Sequence, residues 1–396
     1  MKLLFIPVSA PRGFGEYART RQIALAAAAR WPAAQIRFVL SRAASYASSC
    51  PFPATLLPAS ATFHSREVIA LLQQFRPDLV LFDNAGRSAQ IRAAHHLGAR
   101  VVYVSSRRRQ RTRAFRLGLL RSIDEHWIAY PEFVAGRLGV LERLKLRLPG
   151  GPRIRYLDTI LPEPAPSGPE PAIPPAADQS GPGMVEIVPY LGAGARPFVL
   201  VVPGGGTPHP GAEDAPATVA RAAAQIAARG WQTLLVGVVR PADAPAQLHA
   251  IARRPLEELA ALLRAAALVI TNGGDTLLQA LACARPCVAC AIAPDQAPRI
   301  AHLAGLGLIT AAPLDARALA DAATALLADS QRQRAQLAAL AAHPVHNALP
   351  EVLAAIGALT GAAQTDSVRT DSAAAAARPD EDEARLPERP APGRQP

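Results

Sequence analysis

The chain has 396 residues, half of them hydrophobic but only 5% aromatic, enough to bury two domain cores built mainly from Ala, Leu, Val and Ile. Its apolar runs, such as Leu277 to Ala282, fall far short of a membrane span, and Lys2 leads straight into Leu3 to Val8 without a cleavage site, so a cytoplasmic protein is expected. The net charge of +11 is concentrated between Arg100 and Arg155, where 14 basic residues face 4 acidic ones, and so dense a patch calls for an anionic partner.

In chain order, short apolar strands alternate with amphipathic helices. Strands are predicted at Leu3 to Val8, Ile36 to Leu40, Leu79 to Phe82, Val101 to Val104, Trp127 to Ala129 and Ile154 to Leu157. Between them the helical pattern covers Glu16 to Arg30, Ser65 to Phe75, Ser88 to Leu97, Gln110 to Arg121 and Glu132 to Lys145. Such alternation implies a parallel, doubly wound sheet, so residues 1–162 read as one Rossmann-like domain. Proline and glycine crowd residues 163–197, which read as a linker.

Alternation resumes over residues 198–360. Strands are predicted at Phe198 to Val202, Thr233 to Val236, Leu248 to Ile251, Ala267 to Thr271 and Cys287 to Ile292. Helices are predicted at Ala215 to Arg229, Leu256 to Ala265, from Thr276, and at Ala316 to Ala328 and Ser330 to Ala342. A last apolar stretch, Pro350 to Leu359, is expected to pack back across the interface between the domains. Residues 361–396 are rich in Ala, Pro, Asp, Glu and Arg and read as a disordered tail. The fold class is therefore α/β, two doubly wound parallel sheets facing a cleft.

Several stretches carry chemistry. Gly13-x-Gly15 opens the first helix and lets a phosphate or sugar approach the backbone, with Arg19 one turn on. Glu16 in that first turn is either a general base at the cleft or a charge favoured at a helix start. The loop also fits a dinucleotide fingerprint loosely, but Ser41 and Arg42, not an acid, end the second strand. Asp83-Asn84 closes another strand and is a second candidate base, or plain turn chemistry.

In the second half, Gly204, Gly205 and Gly206 follow a strand and can nest N–H groups around a diphosphate. Asn272-Gly273-Gly274-Asp275-Thr276 repeats the design, strand then glycine turn then helix start, with Gln279 on the same helix. Asp295-Gln296 ends the next strand, where open α/β sheets bind ligands, and Arg254 lies ahead of the Ala267 to Thr271 strand. Cys283, Cys287 and Cys290 have a spacing that invites a metal, but a helix end and a buried strand make small buried thiols the better reading. An Asp380-Glu-Asp382 triplet in the polar tail looks like a metal motif but is read as chance, so neither metal nor cofactor is expected. Arg107 to Arg121, with Phe115, Leu117, Leu119 and Leu120 interleaved, suits an anionic membrane surface or an acceptor diphosphate better than nucleic acid, because stacking aromatics are scarce.

The Gly273, Gly274, Thr276, Asp295 and Gln296 pattern resembles the donor half of GT-B glycosyltransferases, particularly family 28, which includes the enzyme that glycosylates the lipid-linked peptidoglycan precursor. The Gly13-x-Gly15 loop is also similar to that family and to a related nucleotide-sugar hydrolase of pseudaminic acid synthesis. Gln279 stands where that family has Glu, Glu16 where it has His, and Arg299 where Asn is common. The resemblance implies inverting, metal-free transfer from a nucleotide sugar, UDP-linked, to a hydroxyl acceptor that a lipid could carry at the inner face of the membrane. It assigns the diphosphate to the two glycine turns, the ribose to Gln279, the base pocket to the stretch around Arg254, the sugar to Asp295 and Gln296, and the acceptor proton to Glu16 or Asp83. A nucleotide-sugar hydrolase, a 2-epimerase and a non-catalytic binder are the competing readings.

Overall fold

The computed structural model describes residues 1–9, 13–162, 197–204 and 212–362. The linker reading of 163–197 falls outside these residues except for Pro197, as do Gly205, Gly206, the Asp380–Asp382 triplet and the tail beyond residue 362.

Two all-parallel sheets form the molecule. The first holds β1 (Lys2–Pro7), β2 (Gln35–Ser41), β3 (Ala54–Leu57), β4 (Leu79–Asp83), β5 (Arg100–Ser105), β6 (Glu125–Ala129) and β7 (Arg153–Leu157), in the order β3-β2-β1-β4-β5-β6-β7. The second holds β8 (Phe198–Val202), β9 (Gln232–Val236), β10 (Leu248–Ile251), β11 (Leu268–Asn272), β12 (Cys287–Cys290) and β13 (Thr310–Ala311), in the order β10-β9-β8-β11-β12-β13. The near-continuous apolar runs of β4, β8 and β11 follow from this arrangement, since a parallel strand is covered on both faces and all five residues of each are buried. In each sheet the strand order reverses once, between β1 and β4 and between β8 and β11. Ligands of doubly wound folds bind at the carboxyl ends of such strand pairs.

Helix limits over Ser65–Phe75, Leu256–Ala265, Ala316–Ala328 and Ser330–Ala342 match the sequence periodicity. Two expected helices are broken. Glu132 to Lys145 divides into Glu132–Ala135 and Val140–Leu146, because Gly136 leaves the first at φ +77° and Gly139 starts the second. Gln110 to Arg121 divides into Arg108–Ala114 and Leu117–Leu120, with Phe115 between them turned inward against the His126 ring at 5.4 Å.

Helix Leu349–Thr360 crosses back to the first domain. Leu349, Val352, Ala355 and Ile356 join Phe5, Ile23 and Leu81 in one buried cluster. The crossing segments are tied to each other: Asn347 donates to the Leu161 carbonyl and accepts from its N–H, both at 3.0 Å.

Cys287 and Cys290 lie in different apolar clusters on opposite faces of the second sheet, so they do not converge on one ion. Burial pushes all three neighbouring thiols up, Cys290 to about 11, which keeps them protonated.

Ser105 and His126 form a buried pair, Oγ to Nε2 at 2.8 Å, with the Nδ1 of His126 unpartnered among the described residues. The geometry resembles a nucleophile and its base, but the two side chains are 1% and 0% exposed, so no substrate reaches them. Burial pushes the imidazole down to about 3. The unfolded chain then takes up a proton near pH 6.5 that the folded chain refuses until about pH 3, so this stabilisation is complete above 6.5 and shrinks as pH falls through the window. Acid unfolding should steepen there, by at most about 1.4 kcal/mol per pH unit. His126→Asn, which keeps a partner for Ser105 but does not titrate, should flatten that slope in melts at stepped pH. An unchanged slope would remove His126 as its source.

Candidate functional site

The two switch points face each other across a cavity of ≈ 470 Å³, within the range of small-molecule sites. It is lined from the first domain by Gly13, Gly15, Glu16, Arg19 and Asn84, and from the second by Gly204, Arg254, Asn272, Gly274, Asp275, Thr276, Gln279, Asp295 and Gln296.

The second-domain wall rests on register. β8 and β11 are paired with Val202 opposite Thr271, so their following turns emerge side by side. Asn272 joins them: its amide donates to the Pro203 carbonyl at 2.6 Å and accepts from the Gly274 N–H at 2.7 Å. Three glycines are required here. Gly204 sits at φ +81°, and a Cβ there would collide with the Asn272 amide. A Cβ on Gly273 would meet Gln296 and Ile300 at about 3 Å, and one on Gly274 would meet the Asn272 carbonyl oxygen at 2.8 Å. Gly274 precedes helix Asp275–Ala282, whose start has no side-chain cap, so its first N–H groups are available to a bound anion.

Gln279 and Gln296 are both buried. Gln279 reaches the Ile160 carbonyl at 3.4 Å. Gln296 accepts from the Ile292 N–H at 2.9 Å, and its amide nitrogen has no partner among the described residues. Asp295 precedes helix Gln296–Gly305, an element absent from the sequence expectation, and its side chain is half-exposed.

On the facing wall, Glu16 accepts from the Asn84 amide at 3.0 Å, and Asn84 also bonds Ser106 through both its amide nitrogen and its carbonyl oxygen. Asn84 holds a left-handed backbone, φ +51°, a conformation that Asn tolerates better than most residues. Glu16 is thereby fixed at the cavity edge.

Asp83 does not share that edge. It is fully buried and accepts two hydrogen bonds from Arg19, each 2.8 Å. Burial pushes its carboxyl up to about 6 against the pull of the guanidinium. For Arg19, burial works against the charge, but Asp83 and Asp275 outweigh it and hold the pKa well above the ordinary value. Asp83 therefore anchors Arg19, and with that pair closed it does not face an acceptor. Arg19 in turn reaches over the cavity to Asp275 at 3.2 Å, where Gly15 also comes close. A second ion pair, Arg21–Glu257 at 2.9 Å, spans the domains nearby.

Tyr130 and Arg299 also line the cavity. Tyr130 follows β6 with φ +84°, and the Arg299 guanidinium stacks on its ring at 4.2 Å. Sequence periodicity gave no sign of Tyr130, and Arg299 stood out only as a departure from the family pattern.

The basic run is arranged differently from the amphipathic surface expected. Phe115, Leu119 and Leu120 are buried, and Arg111 pairs with Glu142 at 2.8 Å while donating to three backbone carbonyls. Among the apolar side chains of the run only Leu117 is exposed, at 63%, and further apolar exposure comes later, in and just past helix Val140–Leu146: Val140 and Leu141 at 71%, Leu144 at 57% and Leu148 at 44%.

No protein-family model and no curated sequence matches the chain. Solved structures do. The glycotransferase of kitacinnamycin is 16% identical, with 91% of this chain and 99% of that one covered and a TM-score of 0.58. A putative UDP-N-acetylglucosamine 2-epimerase from Listeria monocytogenes is 14% identical, with coverage of 90% and 96% and a TM-score of 0.56. MurG of Acinetobacter baumannii is 16% identical, with coverage of 90% and 99% and a TM-score of 0.54. At these identities the likeness establishes the architecture: two parallel-sheet α/β domains about a cleft, the GT-B fold.

Proposed function

We propose that this GT-B chain transfers a sugar from a nucleotide sugar, UDP-linked, to a hydroxyl acceptor. The observation that carries this reading is the pair of glycine turns bridged by Asn272 beside an uncapped helix start, directly across the cavity from a fixed carboxylate. The second domain holds the diphosphate at Gly204 and the Gly274–Thr276 helix start. Gln279 lies by the ribose, and Asp295 and the free amide of Gln296 meet the sugar hydroxyls. Glu16 takes the acceptor proton as the acceptor oxygen bonds the anomeric carbon. The carbon–phosphate-oxygen bond breaks with its electron pair going to the leaving diphosphate, and attack opposite that group inverts the centre. Helix N–H groups and arginine carry the departing charge, so this chemistry requires no bound metal.

Calorimetric titration with UDP and UDP-sugars tests the reading. Binding by none of them would end it. Glu16→Gln should bind donor as the native protein does but lose transfer by roughly 100-fold or more, the usual contribution of a general base. Transfer at the native rate would remove Glu16 from the role.

The acceptor is proposed to be lipid-linked, with docking at an anionic membrane face through Val140, Leu141, Leu144 and Leu148, beside Arg143 and Arg147. No helix among the described residues is long and apolar enough to cross a membrane, so contact would be peripheral. Vesicles containing phosphatidylglycerol should retain the native chain, and Leu141→Asp with Leu144→Asp should cut retention about tenfold or more, each leucine contributing on the order of 1.5 kcal/mol. Equal retention of both proteins would exclude this face.

A further inference from the structure

Arg299 and Tyr130 come from opposite domains. Arg299 lies on helix Gln296–Gly305, and Tyr130 follows β6 in the first domain. The guanidinium lies 4.2 Å from the Tyr130 ring centroid, and one of its nitrogens donates to the Gly273 carbonyl, in the turn between Asn272 and Gly274. Among the described residues, its only carboxylate neighbour within ion-pair range is Asp295 at 3.9 Å, beyond hydrogen-bond length and on a half-exposed side chain. Arg299 itself is 11% exposed. A largely buried cation so weakly compensated is poised for an anionic ligand.

Tyr130 supplies the second half. Its φ of +84° is rare for a residue with a bulky side chain, and such outliers persist where the surroundings hold them, often at ligand sites. Phe133 and Val134, just beyond it, pack against the second-domain core and pin the segment to that domain. The phenol makes no hydrogen bond within the described residues. Burial pushes its pKa up, with Asp275 adding to the effect and Arg299 opposing it, so it stays a neutral O–H donor. The same surroundings include Glu16 and Arg19, which puts Tyr130 amid the charged groups of the cleft.

We propose that Arg299 and Tyr130 together seat the sugar-linked phosphate of the donor, Arg299 neutralising it and Tyr130 donating a hydrogen bond that strengthens as the bond to the sugar breaks. This rests on the donor reading above and adds the residues that stabilise its leaving group. Neither side chain gains or loses a proton. When the anomeric carbon–oxygen bond cleaves, its electron pair passes to the phosphate oxygen and the diphosphate gains one negative charge. The acceptor proton goes to Glu16. Placement favours phosphate over a carboxylate on the sugar, because Arg299 is anchored to the turn that precedes the open helix start.

Titrations of native protein, Arg299→Gln, Arg299→Lys and Tyr130→Phe with UDP, UMP, UDP-glucose and UDP-glucuronate test this, with thermal melts confirming that each variant folds. Arg299→Gln should weaken UDP about 10- to 100-fold and leave UMP within about twofold, with Arg299→Lys between, as expected for loss of a charge-assisted contact to the distal phosphate alone. Tyr130→Phe should keep UDP affinity within about threefold while donor turnover falls about tenfold or more, since its bond matters most in the transition state. Equal losses for UDP and UMP would overturn the assignment, as would UDP affinity unchanged in Arg299→Gln. If that variant instead lost only its preference for UDP-glucuronate over UDP-glucose, Arg299 would read a sugar carboxylate and the phosphate seat would be wrong. A native protein that binds none of the four would overturn the donor reading and this assignment with it. Native binding with an indifferent Arg299 overturns this assignment alone.

Discussion

Replacing Asp83 with alanine is expected to destabilise the protein by about 3–5 kcal/mol, the range seen when one partner of a buried ion pair is removed. Arg19 would lose both of its 2.8 Å acceptors and, among the described residues, keep only the 3.2 Å hydrogen bond to the part-exposed Asp275. The guanidinium cannot shed its proton to escape, because arginine remains charged throughout the accessible pH range. Asp83→Asn should cost less, since an amide oxygen still accepts one N–H. The midpoint of thermal unfolding at pH 7.5 measures both. A loss below about 1 kcal/mol for the alanine variant would mean that the pair adds little to stability. Asp275→Asn gives a useful contrast: it removes a partly solvated contact between domains and should shift the midpoint far less.

The second large effect is at Asn272. Alanine there would leave the Pro203 carbonyl and the Gly274 N–H without their partner, and the two turns would no longer be tied together. Two lost hydrogen bonds of about 1–1.5 kcal/mol each, at a site where placement sets affinity, correspond to roughly 30- to 150-fold weaker UDP binding. Asn272→Asp should be no better. It keeps an acceptor for Gly274 but turns a carboxylate toward a carbonyl and puts negative charge under the diphosphate. Titration with UDP against uridine separates the effects: uridine should be nearly unaffected if the turns grip phosphate. Equal affinity of native and Asn272→Ala protein for UDP would remove these turns from the site.

Much of this arrangement was legible in the amino-acid sequence because parallel sheets leave strong marks. Apolar runs at Leu79 to Phe82 and Ala267 to Ile270, and 3.6-residue patterns such as Leu256–Ala265, need both faces or one face buried, and the strands Leu79–Asp83 and Leu268–Asn272 and that helix bury them so. Gly273 and Gly274 could be placed at a strand end because only glycine fits such a turn. The failures also have physical causes. Ala54–Leu57 is a short edge strand between Pro53 and Pro58, with too few residues to show a period. Helix Gln296–Gly305 was obscured by Pro298, which is harmless in a first turn whose N–H groups have no helical partner. The roles of Asp83, Asn272 and Tyr130 depend on partners at Arg19, Pro203 and Arg299, each more than 60 residues away, and no local pattern encodes such pairings.

Helix Leu349–Thr360 supplies part of the first domain's apolar interior although it follows the whole second domain. During synthesis, the seven strands of the first sheet leave the ribosome about 200 residues before this helix does, a delay of roughly 10–40 s at ordinary elongation rates. Through that interval the surface that will receive Leu349, Val352 and Ile356 stays wet, and the leading half of the nascent chain waits unfinished for its own last turn of packing.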